Sequence, residues 1–343
     1  MFLLTRHENG PILSPDATLP WEKEGVFNPG VILVDDTVIM LYRAVGEVQS
    51  YISHIGLATS EDGITFKRAG TEPVFGPKEP FDMWGTEDPR ITKIGDDFFI
   101  TYVALANPVM TEGKFSSNIE ANTALLKTRD FKTFENLGLI SPKDSDNKDI
   151  VLFPKKINGR YCMLHRPNFW DKPWHEIIKN RGKITSWPYD VETLPEHPGI
   201  WVAWSDDLKN WTDHKLLLHA SHHEDSKIGP GLPPIETKEG WLVIYHHVIL
   251  TSKQDSFFYS IRAALFDLDN PTRLIGKLTH DILQPEMPYE KEQISKIVFP
   301  TGGFIKDDKL FVYYGASDRY VCLATGSLTE LLSELKNSPP DKI

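Results

Sequence analysis

The apolar residues of this chain gather in short runs that come in pairs, and each pair is joined by a tight polar turn. Val31-Ile32-Leu33 and Val38-Ile39-Met40-Leu41 are separated by Asp35-Asp36, and Phe98-Phe99-Ile100 follows the turn Gly95-Asp96-Asp97. Asx-Gly and Asp-Asp turns between β-branched and aromatic runs are typical of β-hairpins. The pattern therefore predicts an all-β protein built from hairpins.

One local frame recurs five times: an X-Pro dipeptide leads into a short strand, a turn follows, and a second strand ends in Tyr or His. The dipeptides are Asn28-Pro29, Asp88-Pro89, Phe153-Pro154, Pro233-Pro234 and Phe299-Pro300. The second residues of these dipeptides lie 60, 65, 80 and 66 positions apart, and a further strand follows every hairpin. Three or four strands in a unit of this length are typical of β-propellers, whose units bury one another's faces.

Five units fill the chain, so we expect one five-bladed β-propeller domain over residues 1–343. Residues 1–25 would form a lead-in with a closing strand, residues 168–198 an aromatic-rich insertion, and residues 327–343 a short helix and tail. The first strand of each propeller blade lines a central channel. Polar residues at these strand starts would then converge on a central funnel, where we expect the active site. The alternative is two unrelated β-domains with coincidental prolines.

Composition and charge narrow the class of partner. The formal net charge of −11 argues against nucleic acid, because phosphate backbones bind basic faces. Cys162 and Cys322 each lie inside an apolar run, so we expect two reduced core thiols. No apolar run approaches about 18 residues and the start is quickly charged, which predicts a soluble, cytoplasmic protein without a membrane partner. Homo-oligomer formation is left open.

Charged residues crowd the stretch Trp84-Gly85-Thr86-Glu87-Asp88-Pro89-Arg90-Ile91, at the mouth of a predicted strand. Charges in such a place are costly to fold around and need a reason. The local sequence alone suits a solvated turn with a self-neutralising Asp/Arg pair, and the recurrence of the frame along the chain shifts the interpretation toward a site. Asp88 is the isolated acid at a funnel-facing position. Separate blades contribute four cations, Arg43, Arg166, Lys227 and His246. Cations around one cavity of an acidic protein suit an anion, with ordinary structural ion pairs as the alternative.

Other chemistry is weakly indicated. His222-His223 and His246-His247 are adjacent pairs that would point to opposite faces of a strand, so we predict no metal and no cofactor. The sequence has no Gly-rich phosphate loop and no serine nucleophile elbow. The insertion at 168–198 is rich in aromatic residues, whose rings could stack on sugars or could pack on the propeller body. These residues are Trp170, Trp174, Trp187 and Tyr189.

Six motifs together resemble those of glycoside hydrolase family 130, the β-mannoside phosphorylases and their relatives. The resemblance runs from about Asn28 to Asp318, in the family's order. The motifs are Asn28-Pro29-Gly30, Tyr42-Arg43-Ala44, Gly85-Thr86-Glu87-Asp88-Pro89-Arg90-Ile91, His165-Arg166-Pro167, Lys227-Ile228-Gly229-Pro230-Gly231 and Gly240-Trp241-Leu242-Val243-Ile244-Tyr245-His246. The family fold is a five-bladed β-propeller, which agrees with the repeat count.

The resemblance implies an inverting phosphorolysis with one protein carboxyl, Asp88. Its proton would reach the departing glycosidic oxygen through the 3-hydroxyl of the mannosyl residue, while inorganic phosphate, the co-substrate, attacks the anomeric carbon and gives α-mannose 1-phosphate. An ordinary inverting glycosidase needs a second carboxylate to activate water, whereas phosphate is already an anionic nucleophile. By the same resemblance, phosphate would bind to Arg166, Lys227 and His246, and the mannosyl residue to Asn28, Arg43 and Asp318. Glu87 and Arg90 are expected to position Asp88.

Two other functions stay open at this stage, a β-mannosidase on the same fold and a non-catalytic glycan-binding propeller. The sequence departs from the simplest family pattern at His247, where a glycine is expected, and in the 168–198 insertion. Both are expected near the mouth of the site. They leave open the linkage, β-1,2 or β-1,4, the acceptor sugar, and whether the enzyme degrades or synthesises mannosides.

Overall fold

The computed structural model describes residues 1–111, 114–115, 121–142, 147–167, 197–220, 227–251, 256–293 and 295–338. Nearly all regular structure within these ranges is β-strand, which confirms the all-β prediction. The strands are β1 (Thr5–Arg6), β2 (Gly25–Val34), β3 (Thr37–Val45), β4 (Ser53–Ser60), β5 (Lys67–Arg68), β6 (Thr86–Ile94), β7 (Asp97–Leu105), β8 (Met110–Thr111), β9 (Lys114–Phe115), β10 (Ala121–Thr128), β11 (Glu135–Leu139), β12 (Asn147–Leu152), β13 (Tyr161–Pro167), β14 (Ile200–Ser205), β15 (Trp211–Leu218), β16 (Lys227–Pro230), β17 (Ile235–Thr237), β18 (Gly240–Thr251), β19 (Ser256–Phe266), β20 (Leu274–Lys277), β21 (Lys296–Lys306), β22 (Lys309–Ala316) and β23 (Tyr320–Ser327). The helix α1 spans Leu328–Lys336.

The strands form antiparallel sheets in which sequence neighbours pair. Sheet I has the order β2-β3-β4-β5, sheet II the order β6-β7-β10-β11, and sheet III the order β12-β13-β14-β15. A nine-stranded sheet contains the rest of the long strands. Its part IV is β16 and β17 on β18, followed by β19 and β20, and its part V is β21-β22-β23-β1. A short parallel pairing of Phe258 with Lys296 and Tyr259 with Ile297 joins the two parts.

Hydrophobic clusters join each sheet to the next, and join the last sheet to the first. Each cluster combines apolar residues from two neighbouring sheets. Paired examples are Leu41 with Ile100, Leu125 with Met163, Leu164 with Val243, Ile244 with Val312, and Tyr313 with Met40. The sheet faces are therefore buried against one another in a closed series. The first long strand of each unit contributes residues to one common space, and we call these the inner strands: β2, β6, β12, β16 and β21.

The inner strands of sheets I, II and III each carry a β-bulge at the same register position. Asn28-Pro29, Asp88-Pro89 and Asp149-Ile150 are the bulged pairs. The first residue of each pair is left-handed, with φ of 46°, 50° and 61°. Asn and Asp tolerate this conformation better than most other residues with a side chain. A bulge changes the direction of its side chain, so these three polar side chains do not follow the regular alternation between the two faces of the sheet.

The third and fourth X-Pro dipeptides were wrongly aligned by the sequence pattern. Phe153-Pro154 follows β12, and the bulge of sheet III lies earlier, at Asp149-Ile150. Pro233-Pro234 precedes β17, in an inner strand that is split into β16 and β17. The third dipeptide was misaligned because a bulge needs a residue that tolerates the left-handed region but does not need a proline after it. Asp149 is such a residue, and Ile150 follows it.

Three buried tyrosines fix the chain segments that approach the inner strands of sheets I and II and of part V. Each tyrosine hydroxyl donates a hydrogen bond to a fully buried carboxylate. The pairs are Tyr42 with Glu22 at 2.7 Å, Tyr102 with Asp82 at 2.9 Å and Tyr314 with Glu290 at 2.9 Å. Burial raises the pKa of all three hydroxyls, so they remain protonated donors.

The ends of the chain pack on part V. Strand β1 pairs with β23, and α1 buries Leu331 and Leu335 in the cluster between parts IV and V. The two cysteines are buried free thiols, as expected. Most of the predicted aromatic insertion, 168–196, lies outside the described residues. Within the described ranges, no helix is long and apolar enough to cross a membrane.

Candidate active site

A cavity of about 380 Å³ opens where the five inner strands begin. All seven side chains predicted to form the site line it. They are Asn28, Arg43, Asp88, Arg166, Lys227, His246 and Asp318. Nine further residues complete the lining, namely Tyr51, Glu87, Val109, Lys148, Asp149, Phe257, Tyr259, Ile297 and Phe299. The contacts among the polar members divide them into two groups, which we call the acid cluster and the cation cluster.

The acid cluster comprises Asn28, Arg43, Glu87, Asp88 and Asp318, from sheets I and II and part V. Asn28 Nδ2 donates to Asp88 Oδ1 at 2.8 Å, and Arg43 Nη1 donates to the same oxygen at 3.2 Å. Asp88 is buried, with 8% of its surface exposed. Among the described residues both of these bonds end on Oδ1, which leaves Oδ2 available to a ligand. Two donors on one oxygen also fix the plane of the carboxyl group.

Glu87 and Arg90 hold the strand on either side of Asp88. Glu87 forms an ion pair with Arg43 Nη2, so one guanidinium bridges the two neighbouring acids. Burial raises the pKa of Glu87, and the charge of Arg43 opposes that rise. Arg90 Nη1 donates to the backbone carbonyl of Asp88 at 3.0 Å, and its Nε donates to the carbonyl of Gly231 at 2.7 Å. Arg90 therefore holds the backbone of Asp88 directly, whereas Glu87 is linked to Asp88 through the shared guanidinium of Arg43.

Asp318 faces the acid cluster from the turn after β22. Its backbone is left-handed, with φ of 50°. Burial raises the pKa of Asp318 to about 6; Arg43 opposes this rise, whereas the nearby charges of Asp88 and Glu87 add to it. Asp318 therefore changes charge near neutral pH, unlike an ordinary exposed aspartate.

The cation cluster comprises Lys148, Asp149, Arg166, Lys227 and His246, from sheet III and part IV. Asp149 is its centre: Oδ2 lies 2.8 Å from Arg166 Nη2 and 3.6 Å from His246 Nε2. Oδ1 of the same carboxylate accepts from Arg90 Nη2 at 2.9 Å, beneath the cavity. Burial alone would raise the pKa of Asp149, but the charges of Arg166 and Arg90 outweigh burial and hold it well below its ordinary value.

His246 is fully buried and packs against Phe299, with ring centroids 4.6 Å apart. Burial lowers the pKa of His246 well below its ordinary value, and Arg166, Arg90 and Lys227 lower it further against the charge of Asp149. The imidazole is therefore neutral at pH 7, so the prediction of His246 as a cation was wrong, because its burial disfavours the charged form. Lys227 Nζ lies 5.2 Å from the ring centre of Phe257 and 5.7 Å from that of Tyr259, which are cation–π distances.

Two glycines are required by the close packing of these side chains. A Cβ at Gly315 would lie 1.9 Å from Asn28 Oδ1, and a Cβ at Gly229 would lie 2.6 Å from His246 Nε2. Real side chains do not approach this closely. Gly315 therefore makes room for the amide that holds Asp88, and Gly229 for the imidazole beside Asp149.

Sequence reasoning missed Lys148 and Asp149, because it aligned the third repeat on Phe153-Pro154. Lys148 pairs with Arg166 across β12 and β13, at the register position that Glu87 occupies opposite Val103 in sheet II. The available signal was an aspartate directly before the apolar run Ile150-Val151-Leu152.

His247 was expected near the mouth of the site, but it is buried on the other face of β18 and does not line the cavity. Its Nδ1 lies 3.2 Å from both Asp281 Oδ1 and Ser260 Oγ. Successive residues of a strand point to opposite faces, which separates His247 from its neighbour His246. The histidine at this position therefore affects packing on the far face of β18 and does not contact the cavity.

Comparison with known proteins identifies the family of this chain. The glycoside hydrolase family 130 model, described as β-1,4-mannooligosaccharide phosphorylase, matches residues 4–337. The chain is 34% identical over 332 residues to a 1,2-β-oligomannan phosphorylase of Thermoanaerobacter sp. (strain X514), covering 94% of this chain and 97% of that one. The structure of β-1,2-mannobiose phosphorylase from Listeria innocua, in complex with β-1,2-mannobiose, aligns with a TM-score of 0.77 and 26% identity, covering 98% of this chain and 99% of that chain.

A further solved structure, with a TM-score of 0.72 and 25% identity over 96% of this chain and 95% of that one, comes from work on family glycoside hydrolases that target β-1,2 mannosidic linkages in Candida mannan. The fold and the cavity define an all-β enzyme that brings an acid and a group of cations together. The chain belongs to glycoside hydrolase family 130.

Proposed function

We propose that this enzyme is a β-mannoside phosphorylase, a glycosyltransferase-type enzyme that transfers a mannosyl residue to inorganic phosphate with inversion. The observation that carries the proposal is the division of one cavity into an acid cluster and a cation cluster. A phosphorolytic site needs a proton donor on one side of the glycosidic bond and a place for an anion on the other. Sheets I and II and part V contribute the first, and sheet III and part IV contribute the second.

The five sheet units are best interpreted as blades of a five-bladed β-propeller that forms one domain over residues 1–343. The closed series of apolar clusters supports this architecture, because each unit buries both of its faces against its two neighbours. The pairing of β1 with β23 would then close the ring with the N-terminal strand. In this arrangement the acid and cation clusters face each other across the central axis.

Asp88 is assigned the role of proton donor. Because Asn28 and Arg43 donate to Oδ1, Oδ2 is the oxygen that would carry the acidic proton. That proton passes to the 3-hydroxyl of the mannosyl residue, whose own proton passes to the glycosidic oxygen as the bond to the anomeric carbon breaks. Asn28, Arg43 and Asp318 would bind the mannosyl hydroxyls, since they offer an amide, a guanidinium and a carboxylate around Asp88.

Phosphate is assigned to the cation cluster, where Arg166, Lys227 and His246 would bind its oxygens. Lys148 joins this set, because it lines the same cavity and pairs in register with Arg166. Asp149 holds Arg166 by its Nη2 and so orients the guanidinium while reducing the net positive charge. A neutral His246 can donate one N–H to phosphate without adding charge.

A hydrolase on this fold is the second candidate, since the family also contains hydrolases that act on β-1,2 mannosides. An inverting hydrolase needs a second carboxylate that activates water. Asp149 is the carboxylate of the cation cluster, and its two arginine partners lower its pKa, which makes it a weak base. The charge distribution therefore favours phosphate as the nucleophile.

The substrates would be a β-mannoside oligosaccharide and inorganic phosphate. We take β-1,2 as the first linkage to test, because the named 1,2-β-oligomannan phosphorylase and both solved relatives are associated with β-1,2 mannosides. The family model is described by the β-1,4 linkage, so the β-1,4 disaccharide belongs in the same panel.

The proposal is tested by incubating the enzyme with β-mannobiose, with and without phosphate, and measuring mannose 1-phosphate. We expect cleavage that depends on phosphate; equal turnover without phosphate would contradict phosphorolysis. Asp88→Asn should lower kcat by at least about 100-fold, the usual contribution of a general acid, while Tm and mannobiose binding stay near wild-type values. Asp96→Asn, in the exposed turn between β6 and β7, is the matched control.

A further inference from the structure

A second cavity, of about 520 Å³, opens beside the loop that joins β3 to β4. None of the residues assigned to phosphorolysis lines this cavity. We call it the Trp21 groove, and the lining residues that matter here are Trp21, Lys23, Glu47, Ser50, His54 and Met83. Its volume suits a sugar residue, since small-molecule sites combine apolar walls with a few polar groups.

One short segment, residues 50–54, separates the Trp21 groove from the active-site cavity. Ser50, Ile52 and His54 line the groove. Tyr51 lines the active-site cavity, and Ser53 Oγ accepts a hydrogen bond from Arg43 Nε at 2.9 Å. Successive side chains of this segment thus face the two cavities in turn, although the backbone of Tyr51 is left-handed, with φ of 54°. The two cavities therefore share a wall that is a single segment thick.

The chemistry of the Trp21 groove suits a carbohydrate. The indole of Trp21 is fixed, because its Nε1 donates to the carbonyl of Thr71 at 2.7 Å and its ring lies 6.1 Å from that of Tyr42. A fixed aromatic ring can stack on the C–H face of a sugar at little entropic cost. Lys23, Glu47 and His54 supply hydrogen-bonding groups for hydroxyls around it.

Large apolar side chains at and next to the lining residues in sequence are exposed. Val48, Met83 and Trp84 are 50%, 53% and 38% exposed, values that are high for large apolar side chains. Val48 belongs to the loop between β3 and β4 that walls the groove, and Met83 lines the groove itself. Exposed apolar side chains next to a polar groove are typical of a binding surface.

We propose that the Trp21 groove binds a distal sugar residue of the oligosaccharide whose terminal mannosyl unit occupies the active-site cavity. This inference rests on the proposed function and deepens it. The cleaved unit lies at the end of the chain, and the remaining acceptor leaves the cavity over the rim beside Tyr51. The groove on the other side of that wall then receives a later residue and gives longer mannosides an advantage over the disaccharide.

The test is the chain-length profile of phosphorolysis. Trp21→Leu removes the stacking surface, and Met83→Arg fills the groove from an exposed position that does not threaten folding. Each variant should lose about tenfold in kcat/KM for a β-mannotetraose, equivalent to about 1.4 kcal/mol, and less than twofold for the disaccharide. Leu139→Arg, at an exposed site on β11, is the matched control and should change neither value.

Equal losses on both substrates, or no loss on the tetraose with Met83→Arg, would overturn the proposal. So would a change in oligomeric mass with an unaltered chain-length profile, because the groove would then be a subunit contact. Tetraose binding to an Asp88→Asn enzyme, with and without Met83→Arg, gives a readout without turnover. If the wild type phosphorolyses no mannoside, the proposed function fails; if tetraose binding ignores Met83→Arg, the groove assignment fails.

Discussion

Asp149 is a buried carboxylate that forms ion pairs with two guanidiniums, and replacing it with asparagine tests what these ion pairs contribute. Asp149→Asn preserves the volume of the side chain and removes its charge. Arg90, 1% exposed, and Arg166, 4% exposed, would then lose their common counter-ion. Breaking a buried ion pair by removing one partner costs about 3–5 kcal/mol, because the remaining charge is buried and uncompensated.

The expected shift in melting temperature follows from the length of the chain. At about 2.1 cal/mol/K of unfolding entropy per residue, 343 residues give about 0.7 kcal/mol/K, so a loss of 3–5 kcal/mol lowers Tm by about 4–7 °C. The same variant should raise the KM for phosphate about tenfold, the effect of losing about 1.4 kcal/mol of binding, while the KM for the mannoside changes less than twofold. Differential scanning calorimetry and initial rates at varied phosphate measure both effects.

Asp97→Asn is the matched control, since Asp97 also contacts two cations but does so at the surface. Lys127 Nζ lies 3.1 Å from Asp97 Oδ2, and Arg129 is 71% exposed in its side chain. Surface ion pairs contribute little, so Tm should stay within about 1 °C of the wild type. A similar outcome for Asp149→Asn, with an unaltered KM for phosphate, would refute the assignment of Asp149 as the residue that holds the cation cluster together.

The pH dependence of this effect has a defined sign. The folded-state pKa of Asp149 is below the ordinary value of 3.8, so its contribution to stability is complete above that value and is lost as pH falls through the folded pKa. The Tm difference between wild type and Asp149→Asn should therefore be constant from pH 5 to pH 7. It should narrow only below about pH 4, where the Asp149 carboxylate of the unfolded chain begins to take up a proton while that of the folded wild type stays charged, and it should vanish as pH falls through the folded pKa.

Three further substitutions test other parts of the site. Gly315→Ala should lower kcat at least about tenfold, because its Cβ would lie 1.9 Å from Asn28 Oδ1 and displace the amide that holds the acid; an unchanged kcat would contradict that role. The wild-type KM for the mannoside should rise as pH falls through about 6, where Asp318 takes up a proton, and Asp318→Asn should remove this dependence; a flat wild-type profile would be contrary evidence. Lys148→Ala should raise the KM for phosphate far more than that for the mannoside, whereas the exposed Lys156→Ala should change neither; equal rises would move Lys148 out of the phosphate site.

The sequence was most informative where a proline marks the inner strand. Asn28-Pro29 and Asp88-Pro89 stand at β-bulges, and the pattern identified both polar residues as members of the site. The pattern missed Asp149 because the second residue of the third bulge is Ile150 and not a proline. The third repeat was therefore aligned on the nearest proline, Pro154. A bulge depends on backbone conformation, which several residue pairs can supply.

The sequence left ion pairs of the arginines open as an alternative, but it could not predict which acid pairs with which arginine in the cation cluster. Asp149 contacts Arg90 and Arg166 from different strands, and these contacts depend on how the sheets pack. The same holds for the Trp21 groove, whose walls come from the segments before β2 and β6 and from the loop between β3 and β4. Residue types in the sequence indicate that charged groups are present, but which of them contact one another depends on how the sheets pack.

The first-formed product of β-mannobiose cleavage tests phosphorolysis with inversion most directly. Proton and phosphorus NMR, recorded during the first turnovers in phosphate buffer, distinguish mannose 1-phosphate from free mannose and report the anomeric configuration. A single acid, Asp88, with phosphate held by the cation cluster predicts α-mannose 1-phosphate as the initial product, at a rate that saturates with phosphate. Free mannose formed at a rate independent of phosphate, or the β-anomer of mannose 1-phosphate, would contradict this mechanism.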